Sequence, residues 1–360
     1  MENDDDMIVI NGITIKQLKE EEIIDETMEN IIMEIFGVND PNFVITKNDF
    51  VKIDEYFENK KEELKKITNN KNYHIIHQGN ATNELARTKF NDLSNIGILG
   101  DFKYNSKDIE IFIENYRELE KGVRLTAKML LDAIVIKATE ENQNGNKITL
   151  PLDEYMNMRG LKDKKSAREQ VKEDLDALYK ISMNFKSTYG KGKNKKTDYF
   201  DSRICTQKGI IKGDIVFTFE QDFLKIIKTY PVMAYPKEIL SFNTQYNPNS
   251  YNLARKITEH RNMNRIKQNK NIISVKTLLR ACTEIPSYED IKNIGGIHQR
   301  IISRFERDLD AIKFLSWHYC LKNEESIPNE TIENMTYSEF EELNVKITWN
   351  EEIEIKKIDK

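Results

Sequence analysis

The order of local patterns over Gly122–Phe219 restricts the fold of this 360-residue chain more than any other feature. Apolar residues recur at i, i+3 and i+4 across Leu125–Ala138, which is the period of a helix with a buried face. An apolar run at Ile148–Leu152 then predicts a short strand. A second helix is expected over Asp153–Arg159, because Gly160 directly after it is suited to end a helix.

A third helix is predicted to begin at Ser166 and to run to about Lys180, because Ser166 and Glu169 have the spacing of a capping box. Three strand-like runs come next, at residues 182–189, 197–206 and 210–219. The series of helix, strand, two helices and hairpin predicts a winged helix-turn-helix. The basic loop at residues 190–196 would then be the tip of the wing.

The third predicted helix carries basic side chains on its outward face, namely Lys164, Lys165, Arg168 and Lys172. Its acidic residues come later, although the helix dipole favours acids early and bases late by about 0.3–1 kcal/mol each. This order indicates an outside partner, since a recognition helix inserts its N-terminal half into the major groove of DNA. The predicted wing tip adds four lysines that we expect on phosphates: Lys191, Lys193, Lys195 and Lys196. The alternative is a solvated basic hairpin.

A similar series follows in the second half of the chain. A helix predicted over Asn249–Arg265 is expected to expose Arg255, Lys256, Arg261 and Arg265, and the last two are candidate DNA contacts. Ser274 is expected to cap a helix over Val275–Ala281, after a short strand that begins at Ile272. A further strand is predicted over Leu315–Cys320, and it would lead into a second wing.

A long helix predicted over Ile297–Phe314 closes this second series. Its residues Arg300, Arg304 and Arg307 fall on one outward line. Guanidinium groups can form bidentate contacts with phosphate or with the edge of guanine, so this line is a second candidate DNA-binding surface. The alternative is a face neutralised by ion pairs with acidic residues of the same helix.

The net charge of −5 argues against a nucleic-acid-binding protein until the charge is mapped along the chain. Residues 1–60 hold 5 Lys against 16 acids, or −11, and residues 323–360 hold 4 basic residues against 11 acids, or −7. Residues 162–213 hold 14 against 7, or +7, and residues 251–313 hold 13 against 7, or +6. Local charge density governs phosphate affinity, so both basic blocks remain candidates for DNA.

Several other classes of protein fit the sequence poorly. No apolar run approaches the roughly 20 residues of a membrane helix, and the acidic start differs from a signal peptide. Three widely separated cysteines offer neither a disulfide framework nor a metal pair, so a reducing cytoplasmic location is expected. His74 and His77 lack the spacing of a metal site on a strand. We expect no cofactor, no metal and no enzymatic activity.

Two tandem series of this kind resemble the iteron-binding plasmid replication initiators of the Rep type. The resemblance covers roughly residues 120–320 and is carried by Leu125–Ala138, Ile148–Tyr155, Ser166–Ile181, Tyr246–Arg261 and Ile273–Leu309. It implies an α+β, mainly helical fold in which two winged-helix domains grip one repeat of double-stranded origin DNA, the second domain supplying much of the base reading. It also implies host replication proteins as partners, and homodimers that repress while monomers initiate.

We predict three regions in the chain, the first of which is a departure from the pattern of the Rep-type initiators. Residues 1–115 would be an acidic, partly helical N-terminal extension, residues 116–228 the first winged-helix domain and residues 229–360 the second domain with an acidic tail. An amphipathic helix is predicted over Leu18–Phe36, and its apolar face would contact a partner or a second copy, or would pack on its own chain as an ordinary helix does. A transcriptional regulator with the same domains and a scaffold that binds no DNA are the alternatives.

Overall fold

In a computed structural model, the chain forms two compact units, Met1–Asn70 and Lys71–Lys360. The structure describes residues 13–14, 32, 35–38, 40, 42–46, 49, 52, 55, 72–77, 79–106, 109–119, 121–141, 145–189, 196–229, 232–264, 267–333 and 335–350. In the first unit, strand β1 (Ile13–Thr14) pairs antiparallel with β2 (Val44–Ile45). Most of the helix predicted over Leu18–Phe36 lies outside the described residues.

The second unit alternates helices and strands throughout its length. Its strands are β3 (Tyr73–His77), β4 (Phe102–Asn105), β5 (Ile109–Ile113), β6 (Lys147–Pro151), β7 (Ile181–Tyr189), β8 (Lys196–Arg203), β9 (Cys205–Ile211), β10 (Asp214–Phe219), β11 (Val232–Pro236), β12 (Ile272–Ser274), β13 (Leu315–Cys320) and β14 (Asn344–Trp349). Its helices are α1 (Asn80–Arg87), α2 (Leu125–Glu140), α3 (Leu152–Arg159), α4 (Lys164–Lys180), α5 (Gln221–Thr229), α6 (Glu238–Ser241), α7 (Ser250–Met263), α8 (Val275–Ala281), α9 (Tyr288–Ile291), α10 (His298–Ile302 continuing as Ser303–Asp310), α11 (Asn329–Ile332) and α12 (Tyr337–Glu341).

Helix α2 lies at the centre of the core of this unit. It is apolar on nearly every side, and most of its residues from Thr126 to Ala138 are buried. A helix that is apolar all round must be covered on all faces. Helix α4 packs on it. Val171, Leu175 and Leu178 of α4 are buried, as their spacing predicts.

The first winged-helix series is present, but its wing is not the predicted one. Strands β6, β10 and β9 form a three-stranded antiparallel sheet, and β9 and β10 are joined at the two residues Lys212 and Gly213. Both residues have positive φ, 53° and 95°, as a tight hairpin turn requires. The single strand predicted over 210–219 is therefore wrong, because the Lys-Gly pair turns the chain in its middle.

The hairpin predicted as the wing belongs to a different sheet. Strands β7 and β8 pair with β5 and β4 in the order β4-β5-β7-β8. In this register Ile111 lies opposite Met183, and both are buried. Strand β7 therefore pairs with β5, where apolar side chains of both strands are buried together, and does not join the sheet of β6. The loop that carries Lys191, Lys193 and Lys195 lies outside the described residues, and Lys196 is the first residue of β8.

The beginning of α4 also differs from the prediction. Asp163 is the N-cap residue, and its carboxylate accepts hydrogen bonds from the Lys165 amide at 3.0 Å and from the Ser166 hydroxyl at 2.5 Å. The capping box predicted for Ser166 and Glu169 is wrong. A carboxylate at the positive end of the helix dipole is a strong cap, so the helix begins two residues earlier.

The second series follows the predicted order more closely. The Ser274 hydroxyl accepts a hydrogen bond from the Thr277 amide, so the cap of α8 is confirmed. The closing helix α10 begins with a widened π turn over His298–Ile302 and ends at Asp310, short of the predicted end. Strands β12, β14 and β13 form one antiparallel sheet. Between β13 and β14 stand residues 321–343, which contain α11 and α12 instead of a short wing turn.

Candidate nucleic-acid interface

The outward face of α4 carries exposed basic side chains near its N-terminus. Lys165, Arg168 and Lys172 are exposed, and none forms an ion pair with another residue in the described part of the chain. Lys164 is also exposed, but its Nζ lies 2.6 Å from a carboxylate oxygen of Asp153. Three of the four cations predicted on this helix are therefore available to an outside anion.

A groove of about 470 Å³ separates this face from strand β9. Its cationic lining residues are Lys165, Arg168, Lys172 and Lys208. Lys208 pairs with Asp176 of α4, and burial together with the nearby Lys172 charge lowers its pKa. Helix α4 and strand β9 of the β9–β10 hairpin thus form the two walls of one basic groove.

Sequence reasoning missed the basic residues of the β9–β10 hairpin, Lys208 and Lys212. Lys212 stands at the hairpin tip, directly after Ile211, whose side chain is exposed. A Lys-Gly pair between two apolar alternating runs is the local signal that would have located this turn. The run of lysines at residues 190–196 is the stronger compositional signal, and it directed the prediction to the wrong hairpin.

A buried carboxylate fixes the position of α4. Asp174 accepts hydrogen bonds from the Thr126 hydroxyl at 2.8 Å and from Arg124 Nη2 at 3.1 Å. Burial raises its pKa to about 6, although Arg124 favours the charged form. One Asp174 oxygen and the buried Nε of Arg159 have no hydrogen-bond partner among the described residues. Helix α4 is therefore anchored by a carboxylate whose hydrogen-bonding capacity is only partly satisfied.

This anchor predicts an unusual dependence of stability on pH. Because the folded pKa of Asp174 is about 6, above the ordinary 3.8, its contribution to stability is fully present below pH 3.8 and is lost as pH rises through 6. The free energy of unfolding of the natural chain, minus that of Asp174→Asn, should fall by up to about 3 kcal/mol from pH 4 to pH 7. Urea titrations at each pH measure this difference.

Asp163→Asn is the control on the same helix. Hydrogen bonds from Ser166 and Lys165 lower the pKa of Asp163, so its contribution to stability should grow as pH rises from 4 to 7. A pH profile for Asp174→Asn that is flat or has the same sign as the control would contradict the prediction.

The arginine line of α10 divides into two kinds of side chain. Arg300 and Arg304 are exposed and form no ion pair within the described residues. Arg307 donates from Nε and Nη2 to Asp308 at 2.9 and 2.8 Å. The buried Asp308 in turn accepts from the Asn249 amide at the start of α7, so Arg307 helps to hold α10 on α7.

The two predicted contacts at the end of α7 are Arg261 and Arg265. The guanidinium of Arg261 lies 4.2 Å from the ring centre of Trp349 in a cation–π contact. Arg265 lies outside the described residues. The insertion at residues 321–343 holds one Lys and seven Glu, a net charge of −6. Such a segment repels phosphate, so the second series lacks a basic wing at this position.

A buried polar network joins the first series to the second. The carboxylate of Asp132 in α2 accepts hydrogen bonds from the hydroxyls of Tyr235 at 2.9 Å and Tyr251 at 2.7 Å. Arg255 donates to it from Nε at 2.9 Å and from Nη2 at 3.2 Å, and from Nη1 to Asn83 at 2.7 Å. The prediction that Arg255 is exposed is wrong, because this side chain neutralises a buried carboxylate.

The described residues contain no group of three or more His, Cys, Asp and Glu side chains suited to hold a metal ion. His74 and His77 both lie on β3, and Nδ1 of His74 is 2.8 Å from a carboxylate oxygen of Glu140. Within the same described ranges, no helix combines the length and the hydropathy needed to cross a bilayer.

Residues 115–253 match the family model described as Initiator Replication protein, WH1. The predicted resemblance to replication initiators is confirmed. The matched segment contains α2, α4 and the β9–β10 hairpin, and therefore the whole basic groove. The arginines of α10 and the acidic insertion lie beyond it.

Two solved structures are similar to parts of the chain. The crystal structure of domains 2 and 3 of RctB, as selenomethionine derivatives, covers 74% of this chain and 98% of its own, with 12% identity and a TM-score of 0.42. A second crystal structure of RctB domains 2–3 covers 54% of this chain and 75% of its own, with 13% identity and a TM-score of 0.35. No curated protein matches the chain.

Proposed function

We propose that this chain initiates replication of a plasmid or mobile element by binding double-stranded DNA at origin repeats. The observation that carries the proposal is the groove between α4 and β9, where Lys165, Arg168 and Lys172 have no ion-pair partner among the described residues. A helix with free cations on its N-terminal half suits the major groove, and the adjacent hairpin tip at Lys212 suits a phosphate backbone.

In this proposal the second series is a second winged-helix domain. Helix α10 is its recognition helix, and Arg300 and Arg304 are its reading side chains. The two domains read one continuous site because the Asp132–Arg255 pair and its tyrosine partners connect α2 with α7 through the protein interior. The chain acts by binding alone, with no catalysis and no cofactor.

Partners follow from the same proposal. The acidic residues 1–60, with a net charge of −11, would be repelled by DNA and are assigned to host replication proteins or to a homodimer. Light scattering and DNA titration of the full chain and of residues 61–360 test this assignment. Loss of sequence-specific binding in a folded, truncated chain would place the segment within the DNA-binding unit.

The proposal predicts that DNA binding weakens steeply with salt. If six cations each neutralise a phosphate, log K should fall with log salt at a slope of about −5, since each contact contributes about −0.9. Affinity would then drop by about 10³-fold between 50 and 200 mM salt. Fluorescence anisotropy with the full chain and a labelled duplex measures the slope.

A matched pair of variants locates the contacts. Lys172→Ala should make the slope shallower by about 1. Lys225→Ala serves as the control, because Lys225 is an exposed lysine of α5 whose Nζ pairs with Asp222 at 2.8 Å. A slope near zero for the natural chain, or equal changes for both variants, would contradict the groove as the DNA-binding surface.

A further inference from the structure

An exposed isoleucine stands in the turn that precedes α10. The Ile294 side chain is 66% exposed. Its turn is well defined, because the amides of Ile294 and Gly295 both donate to the Ile291 carbonyl at 2.9 Å. Gly295 and Gly296 have φ of 76° and 77°, values that side chains with a Cβ rarely adopt. The turn therefore presents Ile294 to solvent.

Ile294 and Arg300 lie at the same end of α10. The Arg300 amide donates to the Gly296 carbonyl at 2.9 Å. A Cβ built on Gly296 would lie 3.5 Å from Nε of Arg300. Two residues of chain span at most about 7 Å, so the Cα of Ile294 is within that distance of Gly296. An aliphatic side chain and a guanidinium without an ion-pair partner in the described chain thus share one short stretch of surface.

The charge of this stretch suits DNA. Residues 291–305 contain no Asp or Glu, and Arg300 and Arg304 in this stretch form no ion pair within the described residues, whereas Lys292 pairs with Glu289. Singly exposed apolar residues are ordinary on protein surfaces, so exposure alone does not indicate a binding site. Here the apolar residue stands in the turn four residues before His298, the first residue of α10, and the N-terminal end of a recognition helix is the part that meets base edges. The major groove offers one apolar feature to such a residue, the 5-methyl group of thymine.

We propose that Ile294 contacts the methyl group of a thymine in the major groove, beside the base that Arg300 reads. This inference rests on the proposed role of α10 as a recognition helix. The Cα of Ile294 lies at most about 12 Å from Nε of Arg300, which corresponds to three or four base-pair steps of about 3.4 Å. The thymine should therefore lie within about four base pairs of the base read by Arg300.

Deoxyuridine provides the direct probe, since it differs from thymidine only by the missing methyl group. The full chain first selects its binding sequence from random duplexes, and Arg300→Ala identifies the position where selectivity is lost. Each thymine is then replaced singly by deoxyuridine. The natural chain should bind about fourfold more weakly after one such replacement within that window, as expected for one lost methyl contact.

Ile294→Ala should bind the thymine duplex about fourfold more weakly and should lose the distinction between thymine and uracil at that position. Ile98→Ala is the control, because Ile98 is 97% exposed in a different turn, and it should behave as the natural chain. The inference is overturned if no thymine in the window responds, or if Ile294→Ala still distinguishes thymine from uracil. In either case the chain would still bind its selected sequence, and the proposed function would stand. If the chain selects no sequence at all, the proposed function is overturned together with this inference.

Discussion

Replacing Asp132 with alanine is expected to lower the free energy of unfolding by about 3–5 kcal/mol. The change removes the acceptor of four hydrogen bonds and leaves the guanidinium of Arg255, which is 3% exposed, without its counter-charge. An uncompensated buried charge costs far more than the pair contributes when intact. Equilibrium urea unfolding, followed by circular dichroism, measures the loss.

Two further variants separate this explanation from a general loss of packing. In the double variant Asp132→Leu with Arg255→Leu, both charges are removed together, so much of the lost stability should return. Asp222→Ala breaks an exposed ion pair with Lys225 and should cost less than about 1 kcal/mol. A cost below 1 kcal/mol for Asp132→Ala, or a double variant less stable than the single one, would contradict the role given to this network.

Replacing both Arg300 and Arg304 with alanine is expected to weaken binding to the selected DNA sequence by about 2–6 kcal/mol. Each bidentate contact with a base edge contributes about 1–3 kcal/mol of discrimination. Arg304→Ala alone should cost about 1–3 kcal/mol and relax the preference at one base pair. Competition between the selected duplex and a scrambled duplex of equal length measures the selective part of the loss.

Arg307→Ala and Lys193→Ala are the contrasting variants. Arg307 pairs with the buried Asp308, so its removal should lower stability more than selectivity. Lys193 belongs to the predicted basic loop and should affect all sequences alike if it contacts phosphate. If Arg304→Ala weakens binding to the selected and the scrambled duplex equally, Arg304 contacts phosphate and does not read a base.

Short-range patterns were sufficient to predict several helices, including α4, which bears candidate contacts. The apolar period located α2 and α4, and the serine cap located α8. The outward position of Arg168 and Lys172 followed from the same period, because side chains three and four apart share one face of a helix. The order of these elements was enough to predict the first winged-helix series and the resemblance to initiators.

The tertiary structure alone decided which hairpin serves as the wing and which charges are free. Strand pairing depends on partners distant in sequence, and only the fold brings β5 beside β7 and leaves β9 and β10 beside β6. Arg255 and Arg304 both stand on predicted outward helix faces in the sequence. In the fold, Arg255 is buried and donates to the carboxylate of Asp132, 123 residues away, whereas Arg304 is exposed. Local patterns specify helix faces through fixed geometry, whereas burial and ion pairing depend on the opposite surface, which is present only in the folded chain.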